Sequence, residues 1–275
     1  MIELSEAMTL ASQLNTETTG RTVELVKGPS YQHKFTWFYP DAAAYNKSLK
    51  GSKVRSTSAF GIFTEMDFDN NMKLSFHDGI NVRLLDAEAK IPAKYQLLIR
   101  FCDGVMLVFT VVMYGGFACH SGEYDNPYYL KSKEAISPLT PDFDMDHFTA
   151  LLNGVKQAIS AKAFLATEQR IPGLGNGSLQ DILLKCKIHP KRKIETLSMP
   201  EKENMFQVVK NTFEQMAEQG GRSTEKDLYG NPGGYQTILS KISLNKPCPY
   251  CGGQIEKQTY LGGAVYYCSN CQPFA

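Results

Sequence analysis

Features that place proteins in a membrane or send them across one are missing from this sequence. No window approaches the roughly 18 apolar residues that a spanning helix needs. The opening residues, MIELSEAMTL, contain no basic segment followed by an apolar run, so we expect no signal peptide. Internal repeats and low-complexity tracts are also missing. The remaining composition, 43% hydrophobic and 21% charged, is typical of a globular protein.

Net charge is also small, since the whole chain carries only +1 at pH 7. The two halves differ: residues 1–150 hold 14 basic and 18 acidic side chains, a net −4, and residues 151–275 hold 15 and 10, a net +5. The second half includes a short basic cluster formed by Lys185, Lys187, Lys191, Arg192 and Lys193. Such a cluster suits phosphate groups or a solvated surface equally, so charge alone leaves a nucleic-acid partner open.

The first half predicts a β-rich domain. An amphipathic helix is predicted over 3–14. Runs with β-strand composition follow at 22–28, 54–68, 72–76, 95–101 and 105–116. Asp103-Gly104, between the last two runs, is typical of a hairpin turn. We therefore expect one helix followed by a two-layer β-sandwich or barrel.

After a Pro- and Asp-rich boundary at 137–144 the pattern becomes helical. Helices are predicted over 145–160, 161–168 and 178–186. Ser198 and Glu201 form a capping box that starts another helix, which Gly220-Gly221 ends. The predicted fold is α+β, with a β-sandwich domain at 1–138, a helical domain at 139–240 and a metal-binding hairpin at 241–275.

Four cysteines define the metal-binding hairpin. Cys248 and Cys251 form one Cys-x-x-Cys pair, and Cys268 and Cys271 form a second after sixteen intervening residues. This spacing is typical of two tight turns that hold one structural zinc ion per chain through four thiolates. Two disulfides or four free thiols are the alternatives. The other three cysteines are scattered, which together with zinc thiolates favours a reducing cytoplasm.

A second motif is IPGLGNGSLQDILL at 171–184. A Gly-x-Gly-Asn turn that opens a helix presents backbone N–H groups at the positive end of the helix dipole, and Asn176 adds a side-chain amide. The turn therefore predicts an anion site, although most such turns only reverse the chain. It is not a dinucleotide-binding loop, because a helix precedes it.

These motifs occur in an order that resembles the formamidopyrimidine-DNA glycosylase and endonuclease VIII family. Residues 161–193 are similar to its helix-two-turn-helix segment, 221–236 to the following link, and the cysteine pairs to its zinc finger. The opening MIELSEA is similar to the family's Met-Pro-Glu-Leu-Pro-Glu. The matching positions are Lys162, Gly173, Gly175, Asn176, Leu183, Ile188, Pro190, Gly221, Asp227, Tyr229, Gly234, Tyr235 and Gln236.

The resemblance implies a monomeric, cytoplasmic, nucleoid-associated protein of base excision repair. Such a protein binds damaged or abasic double-stranded DNA in a cleft between its domains and extrudes the lesion nucleotide. Lys162, Gly173, Gly175 and Asn176 would form the phosphate-binding part of the DNA interface. Without the resemblance, Lys162 is interpreted as an exposed helix residue and Asn176 as a turn residue.

The resemblance also implies that an N-terminal amine, a proline in the family, is the catalytic nucleophile. Ile2 takes that position, and because isoleucine usually blocks removal of the initiator methionine, the amine is expected on Met1 or Ile2. Packing of Ile2 in the core is the alternative. Glu3 and Glu6 match the family's acids, which protonate the sugar or leaving group and position the amine. Without the resemblance, they are surface residues that favour the helix dipole.

Further family features are not found. The hairpin lysine would fall near 58–60, and the finger arginine near 262–264, where the sequence has Gly-Gly-Ala. The wedge residues are not identifiable, and Met72, His77 and Met113 are only candidates. Two functions follow: a DNA glycosylase with AP lyase activity, or a catalytically impaired binder of damaged DNA. A scaffold for RNA or protein is a more remote third. The retained Glu3 and Glu6 favour the enzyme.

Overall fold

The computed structural model describes residues 1–122, 124–155 and 157–274. The strands of its first half are β1 Val23–Lys27, β2 Thr36–Tyr39, β3 Val54–Phe60, β4 Phe63–Phe68, β5 Lys73–Leu85, β6 Leu97–Phe101 and β7 Met106–His120. Its helices are α1 Leu4–Thr18, α2 Tyr45–Leu49 and α3 Pro127–Glu134. The second half contains α4 Met145–Asn153, α5 Ala161–Ala166, α6 Asn176–Cys186, α7 Met199–Glu218, β8 Ile255–Tyr260 and β9 Gly263–Cys268.

Seven strands form one curled sheet in the order β1-β6-β7-β5-β4-β3, and β2 pairs with β7 in parallel. The long strands β5 and β7 pair from Lys73 opposite His120 to Leu85 opposite Met106. β7 pairs with β6 near one end and with β2 near the other. An isolated bridge between Thr22 and Lys53 brings the ends of β1 and β3 together, so the sheet curls around its own core. The predicted turn at Asp103-Gly104 joins β6 to β7, and Gly104 has the φ of +89° that a glycine tolerates.

Helix α1 connects the two domains. Leu10 and its neighbours on that face pack into the core of the sheet, whereas Leu4 packs into the core of the helical domain. The loop after α7 returns to the sheet, where Leu228 is fully buried. The N-terminal residues consequently lie where the two domains meet.

The predicted α+β architecture is confirmed, with an N-terminal helix and curled sheet, a helical domain, and a hairpin that carries the four cysteines. The helix predicted over 145–160 ends at Asn153, and the run at 54–68 is two strands that turn at Gly61. The sequence patterns do not predict β2, α2 or α3. Helix α3 begins at Pro127 because the Asn126 side chain accepts hydrogen bonds from its first N–H groups, not because of apolar periodicity. Among the helices of the described residues, none has the length and apolar character that a membrane crossing requires.

Candidate active site and nucleic-acid interface

The carboxylate of Glu3 lies at the N-terminus of α6. Its Oε1 accepts a hydrogen bond from the N–H of Gly177 at 2.7 Å. Its Oε2 accepts from the N–H and the hydroxyl of Ser178 at 2.9 and 2.5 Å. The positive end of this helix dipole, which the sequence predicts as an anion site, therefore holds the protein's own buried carboxylate.

The glycines of the Gly-x-Gly-Asn turn allow this contact. A Cβ added to Gly175 would lie 2.5 Å from Glu3 Oε1. Gly173, at φ +76°, accepts a hydrogen bond from the N–H of Leu4 at 3.0 Å. Gly177, which sequence analysis did not select, leaves space for the guanidinium of Arg222, because an added Cβ would lie 1.4 Å from its Nη1. Gly173 and Gly175 thus bring α6 against the N-terminal segment.

Arg222 is the centre of a buried ionic cluster. Its Nη1 lies 3.3 Å from Glu3 Oε1, and its Nη2 donates to Glu6 Oε2 at 2.8 Å and to the Met1 carbonyl at 2.9 Å. Burial alone would raise the pKa of Glu6, but the charge and hydrogen bonds of Arg222 outweigh it and lower that pKa. Burial likewise opposes the charge of Arg222, whose pKa is nevertheless raised by Glu3 and Glu6. Arg222 is therefore the counter-ion of both Glu3 and Glu6.

The two candidate amines have different surroundings. The α-amino group of Met1 lies 2.5 Å from Glu225 Oε2, and the Met1 side chain is 34% exposed. Ile2 is buried in the core of the sheet, and its N–H donates to the Asp78 carbonyl at 2.6 Å. The Met1 amine therefore joins the ionic cluster, whereas Ile2 has the packing role that sequence analysis kept as an alternative.

Little space surrounds the cluster. The cavity bounded by Glu6, Arg222 and Glu225 measures about 10 Å³, near the lower limit for a single water molecule. Met1 is not among the residues that line this cavity.

Lys162 and Asn176 converge on the tip of the β8–β9 hairpin. Lys162 Nζ donates to the Tyr260 carbonyl at 2.6 Å, and Asn176 Nδ2 donates to the Ala264 carbonyl at 2.7 Å. Lys162 is buried, which lowers its pKa. The Oδ1 of Asn176 is buried without a hydrogen-bond partner among the described residues. Gly263, five residues before Cys268, faces both side chains, since an added Cβ would lie 3.6 and 3.5 Å from their nitrogen atoms.

The four predicted cysteines come together. Their sulfur atoms all lie within 4.8 Å of one another, with Cys248 and Cys271 3.8 Å apart and Cys251 and Cys268 3.5 Å apart. Tetrahedral coordination with metal–sulfur bonds of about 2.3 Å places sulfur atoms about 3.8 Å apart. The cluster can therefore hold a metal ion of that kind.

Gln272, the residue after the last cysteine, joins the hairpin to the helical domain. Its Oε1 accepts a hydrogen bond from the N–H of Cys268 at 3.0 Å, and its Nε2 donates to the Ile188 carbonyl at 2.9 Å. Because Gln272 is fully buried, these bonds fix the second cysteine pair against the segment that follows α6.

The wedge candidates also differ in their surroundings. Met113 is 58% exposed on β7, whereas Met72 packs against the core of the sheet. His77 Nδ1 lies 2.7 Å from Asp78 Oδ2. At the end of β3, where the family's hairpin lysine is missing, Lys133 of α3 lies 5.4 Å from the ring centre of Phe60.

No family model matches the chain. It is 31% identical to the formamidopyrimidine-DNA glycosylase of Mycoplasma mobile over 181 residues, 64% of this chain and 65% of that relative. The same enzyme of Hydrogenovibrio crunogenus is 35% identical over 139 residues, about half of either chain. The Cytobacillus firmus enzyme is 24% identical over an alignment of 286 positions, which covers 99% of this chain and 100% of the relative.

The fold is similar to that of solved DNA complexes of the Lactococcus lactis Fpg. The complex with DNA that contains an abasic site has a TM-score of 0.83, with 23% identity over 99% of this chain and 100% of that chain. The complex with an N7-benzyl-Fapy-dG DNA has a TM-score of 0.84 at the same identity and coverage. The sequence motifs, the four-cysteine hairpin, the curated relatives and this shared fold agree. In its sequence motifs, its curated relatives and its fold, the chain is therefore similar to the formamidopyrimidine-DNA glycosylase and endonuclease VIII family.

Proposed function

We propose that the protein binds damaged double-stranded DNA and acts in base excision repair as a DNA glycosylase with AP lyase chemistry. The observation that carries this proposal is the free α-amine of Met1, which lies 2.5 Å from Glu225 in the cluster that also holds Glu3 and Glu6. The DNA partner is supported by the family and by the damaged or abasic DNA in the complexes of the Lactococcus relative.

The Met1 amine is the nucleophile in this proposal. A neutral amine adds to the sugar C1′ as the base leaves with a proton, and the C1′–O4′ bond then breaks, with a proton taken up by O4′, to give an iminium. At an abasic site the amine instead adds to the C1′ aldehyde, and loss of water gives the same iminium. Loss of a C2′ proton with departure of the 3′ phosphate then cuts the strand. Glu225 accepts a hydrogen bond from the amine and is placed to take its proton. The oxygens of Glu3 are occupied by contacts with Ser178 and Arg222. Glu3 can supply a proton to the departing base only after one of these contacts, such as the one with Arg222, has broken and the carboxylate has bound a proton in its place.

Lys162 and Asn176 are proposed to bind a DNA phosphate beside the lesion. Each side chain has at least one further N–H besides the one that it donates to the hairpin tip. A phosphate can accept the remaining N–H groups as well if the Tyr260 and Ala264 carbonyl groups move away. We further propose that the ion held by Cys248, Cys251, Cys268 and Cys271 is a structural zinc, since four thiolates leave no open position for water. Its task would be to keep the β8–β9 hairpin folded beside Lys162 and Asn176.

A second candidate is a binder of damaged DNA with impaired catalysis. One observation favours it: Gly263 stands at the position of the family's finger arginine. Without that arginine the charge-assisted contacts to the phosphates around the lesion are weaker.

Borohydride trapping on a duplex with one abasic site separates the two candidates. The enzyme is expected to form a covalent adduct, which peptide mass spectrometry locates on the amine of Met1. The matched control is the same chain with a short N-terminal extension, which should bind the duplex and form no adduct at residue 1. Tight binding with no adduct and no strand cut would support the impaired binder. No binding to damaged DNA would refute both.

A further inference from the structure

We propose that the edge of the sheet carries a surface on which unpaired DNA bases stack. This surface, the aromatic edge, consists of Phe35, Trp37, Tyr39 and Tyr114. The inference rests on the proposed function and narrows the substrate class to DNA in which bases beside the lesion are unpaired.

Three of the four side chains of the aromatic edge are highly exposed for their size, and Tyr114 is partly buried. Phe35, Trp37 and Tyr39 are 49%, 55% and 48% exposed. They occupy alternate positions on and just before β2, so they share one face of the strand. Phe38 between them points the other way and stacks on Phe117 at 5.1 Å. An exposed apolar row of this kind on a globular protein marks an interaction surface.

The aromatic edge lies next to the N-terminal segment that joins the buried ionic cluster. The rings of Trp37 and Tyr114 meet edge to face, with centroids 6.4 Å apart. The backbone of Tyr114 lies against Gly79, where an added Cβ would be 2.6 Å from the Tyr114 carbonyl oxygen. The adjacent Asp78 carbonyl accepts the hydrogen bond from the N–H of Ile2. A strand whose sugar reaches the Met1 amine therefore passes close to this surface.

The chemistry around β2 suits a nucleic-acid strand. Residues 28–40 contain five aromatic side chains, one lysine, one histidine and no acid. Lys34 Nζ lies 5.3 Å from the ring centre of Phe35. A groove of about 580 Å³ next to Thr36 and Phe38 is lined by residues without a carboxylate, including Gln32, His33 and Lys34. Cations and amides that hold a phosphate backbone, beside aromatic rings that stack bases, are the features of single-strand binding.

The occupant that these features favour is an unpaired strand. A fully paired duplex keeps its base faces within the stack and cannot offer them to Trp37. A second copy of this chain would be expected to pair along the edge strand, but β2 has only four residues, and so short an edge is a poor template for pairing.

Fluorescence tests the proposal directly, because Trp37 is the only tryptophan in the chain. We expect its emission to be quenched by a duplex that carries an abasic site within a bubble of unpaired thymines, and much less by the same duplex fully paired. Trp37→Ala should weaken binding to the bubble by about 5- to 100-fold, the loss expected for one stacked base. The affinity of Trp37→Ala for the paired duplex should equal that of the wild type. Trp37→Phe, which keeps a π face, should retain most of the affinity for the bubble.

The other outcomes overturn the inference in distinguishable ways. If the wild-type protein binds both DNAs without quenching, and Trp37→Ala binds the bubble as well as the wild type does, the inference fails and the proposed function stands. If neither DNA binds, both fail. If sedimentation shows a dimer that Trp37→Ala dissociates, the occupant is a second copy, and the inference is wrong.

Discussion

Arg222 donates to both carboxylate oxygens of Glu6, through Nε to Oε1 at 3.1 Å and through Nη2 to Oε2 at 2.8 Å. Both side chains are buried, with 3% and 6% of their surface exposed. The pair joins the loop after α7 to the first turn of α1, and the backbone N–H of Arg222 adds a third bond to Glu6 Oε1 at 2.9 Å. The position of the Met1 amine thus depends on a loop more than 200 residues away in the chain.

Removing the cation should be costly. Arg222→Gln leaves Glu3 and Glu6 as buried carboxylates without their partner, so the free energy of unfolding should fall by about 3–5 kcal/mol. Arg192→Gln is the matched control, because its partner Glu201 has a side chain 33% exposed and such pairs contribute less than about 1 kcal/mol. Denaturant titration measures both. Equal losses in the two variants would contradict a structural role for the buried pair.

The same pair predicts how stability depends on pH. The folded state lowers the pKa of Glu6 below its ordinary value of 4.5, despite burial, because Arg222 favours the carboxylate. The stabilisation is therefore complete above about pH 4.5 and is lost as the pH falls through the lowered pKa. In Arg222→Gln, the effect of burial is no longer opposed by the charge of Arg222, so the pKa of Glu6 should rise. The difference in unfolding free energy between wild type and variant should narrow towards acid, and a constant difference would contradict this account.

The cysteine cluster predicts one bound zinc ion per chain. Cys251→Ser should lose the metal and lower the thermal midpoint by about 5 °C or more, because binding the ion contributes to folding of the hairpin. Cys102→Ser is the control, since this exposed cysteine lies outside the cluster. Elemental analysis and thermal melts give both quantities. A full complement of zinc in Cys251→Ser would refute the assignment of this ligand.

Gly263 offers a test of the missing arginine. Its φ is outside the left-handed region and a Cβ there makes ordinary contacts with Asn176 and Lys162, so a side chain is sterically acceptable. Gly263→Arg should tighten binding to abasic duplex about 5-fold through a charged phosphate contact, and should steepen the salt dependence by roughly one unit. Gly263→Gln has a similar length without the charge and should change neither. Equal effects of the two variants would show that the tip does not face a phosphate.

The sequence predicted the elements whose signals are local. The two Cys-x-x-Cys pairs, the Ser198–Glu201 capping box and the Asp103-Gly104 turn each occupy a few consecutive residues, and the structure contains all three features. Helix α3 was missed because a cap at Asn126 begins it and no apolar stripe marks it.

The contents of the site depend on contacts between distant parts of the chain. Arg222 follows Gly220-Gly221 in a polar loop, and nothing near it in the sequence indicates that it will be buried against Glu6. The Gly-x-Gly-Asn turn did predict an anion site, but its spacing could not reveal that Glu3, about 170 residues earlier, supplies the anion. The aromatic edge had a local signal in 28–40, namely aromatic residues and cations without an acid, and sequence analysis overlooked it.

Ile2 and Glu3 are neighbours in the chain, but their side chains contact different domains. The side chain of Ile2 is anchored in the core of the sheet, and the carboxylate of Glu3 is bound at the first turn of α6. Their Cα atoms are joined by one peptide unit, about 3.8 Å long. The two domains therefore cannot separate at this point by more than this short linkage allows. Ile2 and Glu3 act as a hinge between them. Any opening that admits DNA must therefore be a rotation about Ile2 and Glu3, because the two domains stay joined there.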